Sequence, residues 1–176
     1  LSESVMQLLS TFDAVGVGPG IGKEPATAAF LRKLLEGYGK PMVLDADALN
    51  ILAANKEWMT LVPAGSILTP HPGEFRRLAG DWQNDIEKLK LQVEFAKTHE
   101  VVVVMKGAFT SIANPNGSVY FNGTGNPGMA KGGSGDVLTG LLTSLLAQRY
   151  DTTTTAIIGV YLHGLAGDYD RDTVGD

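Results

Sequence analysis

The absences in this sequence already exclude several classes of protein. There is no cysteine, which excludes disulfide bonds and thiolate metal ligands and fits a reducing cytoplasm. No apolar run approaches the ~20 residues that span a bilayer, and no secretory signal pattern opens the chain, so we expect no membrane partner. The formal net charge of −5 argues against nucleic acid as a partner, but it leaves room for a local basic pocket around one phosphate ligand.

Repeats, linkers and low-complexity segments are also missing from the 176 residues. We therefore expect a single domain over residues 1–176 with a sizeable core. The unusual feature is glycine, whose 22 copies cluster at residues 16–22, 123–140 and 159–167. Such clusters predict particular loops and close helix contacts, because glycine lets two stretches of backbone approach each other.

Short apolar segments alternate with segments of helical periodicity. Strand patterns occur near residues 12–17, 41–45, 66–69 and 101–105, and a β-hairpin pattern at Thr110-Phe121. Helical patterns occur near residues 24–35, 48–54, 73–78, 83–98, 135–148 and 153–168. Their spacing assigns Ile86 and Val137 to faces that pack on the core. The alternation predicts an α/β fold with a mostly parallel sheet.

Ligands of parallel α/β sheets lie beyond the carboxyl ends of the strands. The chemically notable residues of this sequence follow the predicted strands in turn, namely Gly18 and Gly20, Asp45 and Asp47, His71, and Lys106. This shared location predicts one site at that edge of the sheet.

Residues 126–142, NPGMAKGGSGDVLTGLL, place a glycine-rich loop directly before an amphipathic helix. The first N–H groups of a helix lack intrahelical partners, and the helix dipole adds partial positive charge there. Glycines would let a ligand reach them, so Gly133, Ser134 and Gly135 are predicted to form an anion hole for a phosphoryl group. Asp136 is then either a general base or an ordinary charge at a helix start.

Other candidates keep two interpretations. Asp45 and Asp47 are helix caps or lie near the hydrated metal of a nucleotide. Lys106 faces a ligand or merely extends to solvent. Two prolines flank His71 and are expected to hold the turn without the imidazole, which leaves the ring for a substrate. His163, in the middle of a helix, is interpreted as structural.

GNPGMAKGGSGDVLTG resembles the signature of the ADP/ATP-dependent NAD(P)H-hydrate dehydratases, a family of the ribokinase-like superfamily. LTPHPGEFRRL, GVGPGIG, LDADALN and GVYLHGLAGD match the other blocks of that family in the expected order. The glycine-rich loop and its aspartate alone would indicate only the superfamily, whereas TPHPGE together with this signature is far more specific. The resemblance implies a ribokinase-like α/β fold with helices on both faces of the sheet.

The implied activity is repair of hydrated NADH and NADPH. The family phosphorylates the hydroxyl at C6 of the hydrated nicotinamide ring with ADP or ATP and then expels phosphate, which regenerates the reduced cofactor. Mg²⁺ is expected with the nucleotide, and its protein ligands are unknown. The alternatives are a ribokinase-like kinase for a vitamin-precursor alcohol and a non-catalytic nucleotide-binding fragment.

The resemblance also implies residue roles. Asp136 would be the catalytic base, and Gly133, Ser134 and Gly135 the anion hole. Substrate-binding residues would be Gly18, Gly20, His71, Asn126 and Asp136. Nucleotide-binding residues would be Lys106, Gly107, Ala108, Phe109, Thr110 and Gly135. Asp45, Asp47 and Asn50 would line the site.

The family domain is longer than this chain and has a further stretch before the segment that begins at Leu1. We therefore expect the C-terminal part of that domain. We also expect a homo-oligomer.

Overall fold

The computed structural model describes residues 3–174, and within them six strands form one sheet in the order β1-β2-β3-β4-β5-β6. The first four strands are parallel and the last two form an antiparallel hairpin. The strands are β1 (Gly16–Val17), β2 (Val43–Leu44), β3 (Ile67–Leu68), β4 (Val102–Met105), β5 (Ser111–Ala113) and β6 (Val119–Phe121). The predicted α/β fold with a mostly parallel sheet and a β-hairpin is confirmed.

Seven α-helices accompany the sheet within the same residues. They are α1 (Glu3–Ser10), α2 (Pro25–Tyr38), α3 (Ala46–Ala54), α4 (Pro72–Ala79), α5 (Asp85–Thr98), α6 (Ser134–Ala147) and α7 (Thr152–Val174). The turns at Lys56–Leu61 and Pro127–Met129 are 3₁₀-helical. None of the helices in this described part of the chain has the length and apolarity of a membrane span.

The strands alternate their side chains between two separate apolar cores, as the pleat of a sheet requires. Val102 and Val104 of β4 enter one core with Leu142 of α6 and Val160 of α7. Val103 enters the other core, which is filled by helices α2 to α5. Helices therefore cover both faces of the sheet, as predicted.

The structure corrects two residues that the helical spacing had assigned to the core. Ile86 is 69% exposed and Val137 is 64% exposed. Both lie in the first turn of a helix. On α6 the face that packs on the core begins with the next residue, Leu138, which is 4% exposed, whereas Val137 lines a cavity. Helix α7 is also longer than predicted, since it continues to Val174.

Candidate functional site

Backbone pairing continues past the carboxyl ends of the strands and holds the loops there side by side. The Asp45 N–H donates to the Val17 carbonyl at 3.1 Å, and the Lys106 N–H donates to the Pro70 carbonyl at 2.9 Å. Gly18 packs so tightly that a Cβ there would overlap the Asp45 carbonyl, and its φ of +139° also favours glycine. The loops after β1 and β2, and those after β3 and β4, are thereby joined in pairs.

A buried ion pair lies at this edge. Asp45 is 1% exposed, and its Oδ1 lies 2.7 Å from Nζ of Lys106. Its Oδ2 accepts a hydrogen bond of 2.9 Å from the hydroxyl of Thr139 on α6. Asp45 occupies the N-cap position of α3, but its side chain makes no capping hydrogen bond. The side chain therefore does not serve as the helix cap that was one interpretation of this residue.

Helix α6 starts beside this pair. Its N-cap is Gly133, whose φ of 90° is left-handed. A Cβ added at Gly135 would lie 3.5 Å from Nζ of Lys106 and 3.6 Å from Oδ2 of Asp45. The ammonium thus lies next to the first turn of the helix, where the helix dipole is also positive. An ammonium, paired on one side with the Asp45 carboxylate, and the N-terminal end of a helix therefore lie side by side.

Asp136 lies in the first turn of α6 and is exposed. Within residues 3–174 its carboxylate has no hydrogen-bond or ion-pair partner. A carboxylate without such partners does not cap the helix, although it still complements the dipole.

A cavity of about 650 Å³ opens between the loops and the last two helices. From the predicted set it collects eight residues, namely His71, Lys106, Gly107, Ala108, Thr110, Asn126, Ser134 and Gly135. A second cavity of about 620 Å³ lies along the same glycine-rich loop and shares Asn126, Met129, Lys131, Ser134 and His163 with the first. Its lining includes Gly133.

Seven predicted residues are absent from both linings, as far as the described residues show. Asp47 accepts a hydrogen bond from the Gly22 N–H at 3.1 Å, and Asn50 accepts one from Arg77 at 3.0 Å. Phe109 is 78% exposed. The other four are Gly18, Gly20, Asp45 and Asp136.

The His71 side chain caps helix α4, a structural role that the sequence interpretation did not expect. Its Nδ1 accepts the backbone N–H groups of Gly73 at 3.0 Å and Glu74 at 3.4 Å, while Glu74 accepts the N–H of His71. This is a reciprocal capping box at the start of α4. The flanking prolines therefore do not hold the turn alone, although the ring also faces the larger cavity.

Two residues of the GVYLHGLAGD block make polar contacts with the glycine-rich loop, although the sequence interpretation had given neither a role there. Asp168 accepts the N–H of Gly125 at 2.8 Å and the side-chain amide of Asn126 at 3.1 Å. These bonds hold the pKa of Asp168 below its usual range. His163, interpreted above as structural, lines both cavities with Nε2 3.4 Å from the Ser134 hydroxyl. The match of the whole block was the available signal for both.

Comparison with known proteins agrees with this geometry. The family model described as NAD(P)H-hydrate dehydratase matches residues 1–174. The chain is 43% identical over 168 residues to the bifunctional NAD(P)H-hydrate repair enzyme of Moorella thermoacetica, covering 94% of this chain and 32% of that protein. It thus spans about a third of the length of this curated relative.

Solved structures give the same result. The ADP/ATP-dependent NAD(P)H-hydrate dehydratase of Bacillus subtilis, co-crystallized with ATP/Mg²⁺, has a TM-score of 0.77 at 30% identity, with 96% of this chain and 61% of that chain covered. A ribokinase-like superfamily protein from Enterococcus faecalis has a TM-score of 0.81 at 28% identity, with 97% and 60% covered. The fold is therefore ribokinase-like, and the chain belongs to the NAD(P)H-hydrate dehydratase family.

Proposed function

We propose that this protein takes part in the nucleotide-dependent dehydration of hydrated NADH and NADPH. The observation that carries the proposal is the Lys106 ammonium beside the first turn of α6, at a cavity lined by residues of the family signature. Such a site suits a phosphoryl group in transfer, because its hydrogen-bond donors, the ammonium and the first N–H groups of the helix, are held in place before the reaction begins. Family membership supplies the substrate class.

The first step transfers a phosphoryl group. The C6 hydroxyl oxygen of the hydrated ring attacks the terminal phosphorus of ADP or ATP, and the bond to the bridging oxygen breaks, which releases AMP or ADP. Asp136 accepts the hydroxyl proton. The exposed carboxylate, without a protein partner among the described residues, supports this role.

The second step is elimination. The C6–O bond breaks with phosphate as the leaving group, and the proton on the neighbouring ring carbon passes to water. The ring double bond re-forms, which restores the reduced cofactor. Phosphorylation is needed because hydroxide is a poor leaving group and phosphate a good one.

The ligand contacts proposed here rest on family membership, and part of this set also lines the cavities. Lys106, Gly107, Ala108, Phe109 and Thr110 would hold the nucleotide, and the Thr110 hydroxyl closes their turn by donating to the Gly107 carbonyl at 3.2 Å. Gly133, Ser134 and Gly135 would receive the transferring phosphoryl group. Gly18, Gly20, His71 and Asn126 would contact the hydrated cofactor, with Asp45, Asp47 and Asn50 around the site.

Mg²⁺ is the ion named with ATP in the Bacillus structure. Within the described residues, no group of three or more His, Asp or Glu side chains could hold a metal. Both oxygens of Asp45 already accept protein donors. These residues therefore do not form a Mg²⁺ site of their own, and the ion would arrive on the phosphates of the nucleotide.

The test is to incubate the protein with hydrated NADH and either ADP or ATP and to follow the absorbance of the restored dihydronicotinamide. We expect recovery only with nucleotide, together with one phosphate released per cofactor restored. A stable phosphorylated alcohol instead would identify a small-molecule kinase. Nucleotide binding without any turnover would identify a binding fragment. Sedimentation analysis of the same sample tests the predicted homo-oligomer.

A further inference from the structure

The Asp45–Lys106–Thr139 triad, defined by these three side chains, joins three separate segments of the chain. Asp45 follows β2, Lys106 follows β4, and Thr139 lies on α6, one turn beyond Gly135. The carboxylate is almost wholly buried, while the lysine side chain is 24% exposed. The open end of this group is therefore the ammonium, and it lines the larger cavity.

The Asp45 side chain contacts Lys106 and Thr139 instead of capping its own helix, α3. An aspartate at an N-cap position ordinarily accepts backbone N–H groups of its own helix, but Asp45 does not. The next residue, Ala46, has a left-handed φ of 46°, which costs a non-glycine residue free energy. The Asp45 carboxylate therefore points to Lys106 even though the helix loses a side-chain cap and the backbone at Ala46 is strained.

The lysine side chain is flexible, so a partner such as the Asp45 carboxylate is needed to hold the ammonium in one position for contact with a phosphate. One of its three donors reaches Asp45 at 2.7 Å, which leaves two for a ligand. The Thr139 hydroxyl holds the other carboxylate oxygen and ties the pair to the helix whose first turn forms the predicted anion hole.

We propose that Asp45 and Thr139 are positioning residues that present the Lys106 ammonium to the phosphate chain of the nucleotide, in register with the first turn of α6. This inference rests on the proposed function, because it requires that a nucleoside diphosphate or triphosphate bind in the cavity. In this proposal Asp45 acts by orienting Lys106 and does not contact the metal ion itself.

The experiment compares the affinities of the protein for ADP and for adenosine, since only ADP carries phosphates. Thr139→Val removes the hydroxyl and keeps the shape, and we expect ADP affinity to fall about three- to tenfold with adenosine affinity unchanged. The matched control is Thr143→Val, one turn along α6, whose hydroxyl donates only to the Thr139 carbonyl. We expect the control to leave both affinities at the wild-type value.

Asp45→Asn supplies a second and independent arm. We expect a loss of ADP affinity of about tenfold or more, because a charged anchor is lost. The loss should vanish when Lys106 is already Met, because Asp45 then has nothing to position. A gain in ADP affinity, or an equal loss in the Lys106→Met background, would overturn the inference.

The two proposals fail in different ways. If the wild-type protein does not bind ADP, the proposed function itself fails. If it binds ADP and Thr139→Val behaves like Thr143→Val, the positioning role alone is wrong. If the effect of Asp45→Asn scales with Mg²⁺ concentration instead of with the presence of Lys106, Asp45 contacts the metal, which also refutes positioning.

Discussion

Asp136 and Asp45 show that a residue type favoured at helix starts need not act as a cap. Both are aspartates at the start of a helix, and neither makes a side-chain capping bond within the described residues. Asp45 turns inward to an ammonium, and Asp136 stays exposed near the glycine-rich loop. The sequence could place both aspartates at strand and helix ends, but it could not show that the Asp45 carboxylate has hydrogen-bond partners in the protein while the Asp136 carboxylate has none in the described residues.

For Asp136 we expect Asn to lower turnover by about 10²–10⁴ while ADP affinity and melting temperature stay at the wild-type level. The carboxylate has no partner to lose in the described residues, so its removal should leave the fold intact. Turnover and thermal melting are measured on Asp136→Asn and on Asp85→Asn. Asp85 is an exposed aspartate in the first turn of α5 and serves as the control for turnover only, because it pairs with Lys88 at 2.6 Å. Turnover within a few-fold of wild type would remove Asp136 from the reaction.

At His71 the structural and ligand-binding roles can be separated by choice of substitution. His71→Ala loses the cap of α4, so we expect the free energy of unfolding to fall by about 0.5–2 kcal/mol. His71→Asn keeps a capping acceptor and should retain most of that stability. If the ring also contacts the hydrated cofactor, both variants should weaken binding of NADPH, a stable analogue, while only Ala melts earlier. Normal NADPH affinity in both would leave His71 with the cap alone.

At the scale of elements, the sequence placed most helices and strands but misjudged their extent. The strand predicted near residues 12–17 is a regular strand only at Gly16–Val17, although the Val43 N–H also donates to the Val15 carbonyl at 2.9 Å. Periodicity reports which side of a segment is apolar, whereas strand length depends on the neighbour. Contacts across long sequence separations, such as Gly125 with Asp168, carry no periodic signal at all.

Helix α7 anchors the glycine-rich loop through Asp168. For Asp168→Ala we expect hydrogen exchange at the Gly125 amide to rise at least about tenfold, since a bond to a charged acceptor is lost. Affinity for NADPH should fall with it, because Asn126, which is assigned to the hydrated cofactor, also loses a partner. The control is Asp172→Ala, an exposed aspartate farther along the same helix. Equal exchange in both variants would show that the loop is held by other contacts.

His163, on the same helix, should make the stability of the protein depend on pH. Burial lowers the pKa of His163, and the charge of Lys106 lowers it further against the opposing effect of the Ser134 bond. The unfolded chain takes up this proton as pH falls through about 6.5, before the folded protein does. The free energy of unfolding should therefore decrease as pH falls from about 7.5 to 5.5.

His163→Gln should reduce this slope in chemical denaturation series. Part of the slope should survive in the variant, because burial also lowers the pKa of His99. Identical slopes in the two proteins would mean that His163 takes up its proton equally in the folded and unfolded states.

For the molecule as a whole, the candidate site connects the two helical layers. His71 begins α4 on one face of the sheet, whereas Ser134 and His163 belong to α6 and α7 on the other. All three line the same cavity at the carboxyl edge. The prediction that a ligand site lies at this edge needed only strand order, but the convergence of the two layers on one cavity is a property of packing and became visible only in the structure.

A ligand that contacts both layers should stabilise the entire cooperative unit. With ADP at 100 times its Kd, we expect the free energy of unfolding to rise by about 2.7 kcal/mol, which is roughly 5–10 °C in melting temperature for a chain of this size. Gly135→Val should abolish that shift. Its first carbon fits at ordinary contact distance, but its methyl groups would fill the space in front of the Lys106 ammonium.

Gly140→Val is the control on the same helix, because a Cβ there meets nothing within 4 Å. Both variants replace a helical glycine in α6, so any intrinsic effect on the helix should be shared. We expect similar melting temperatures without ligand and a shift with ADP only in Gly140→Val. If Gly135→Val keeps the full shift, ADP binds away from the first turn of α6, and the phosphate site proposed there is wrong.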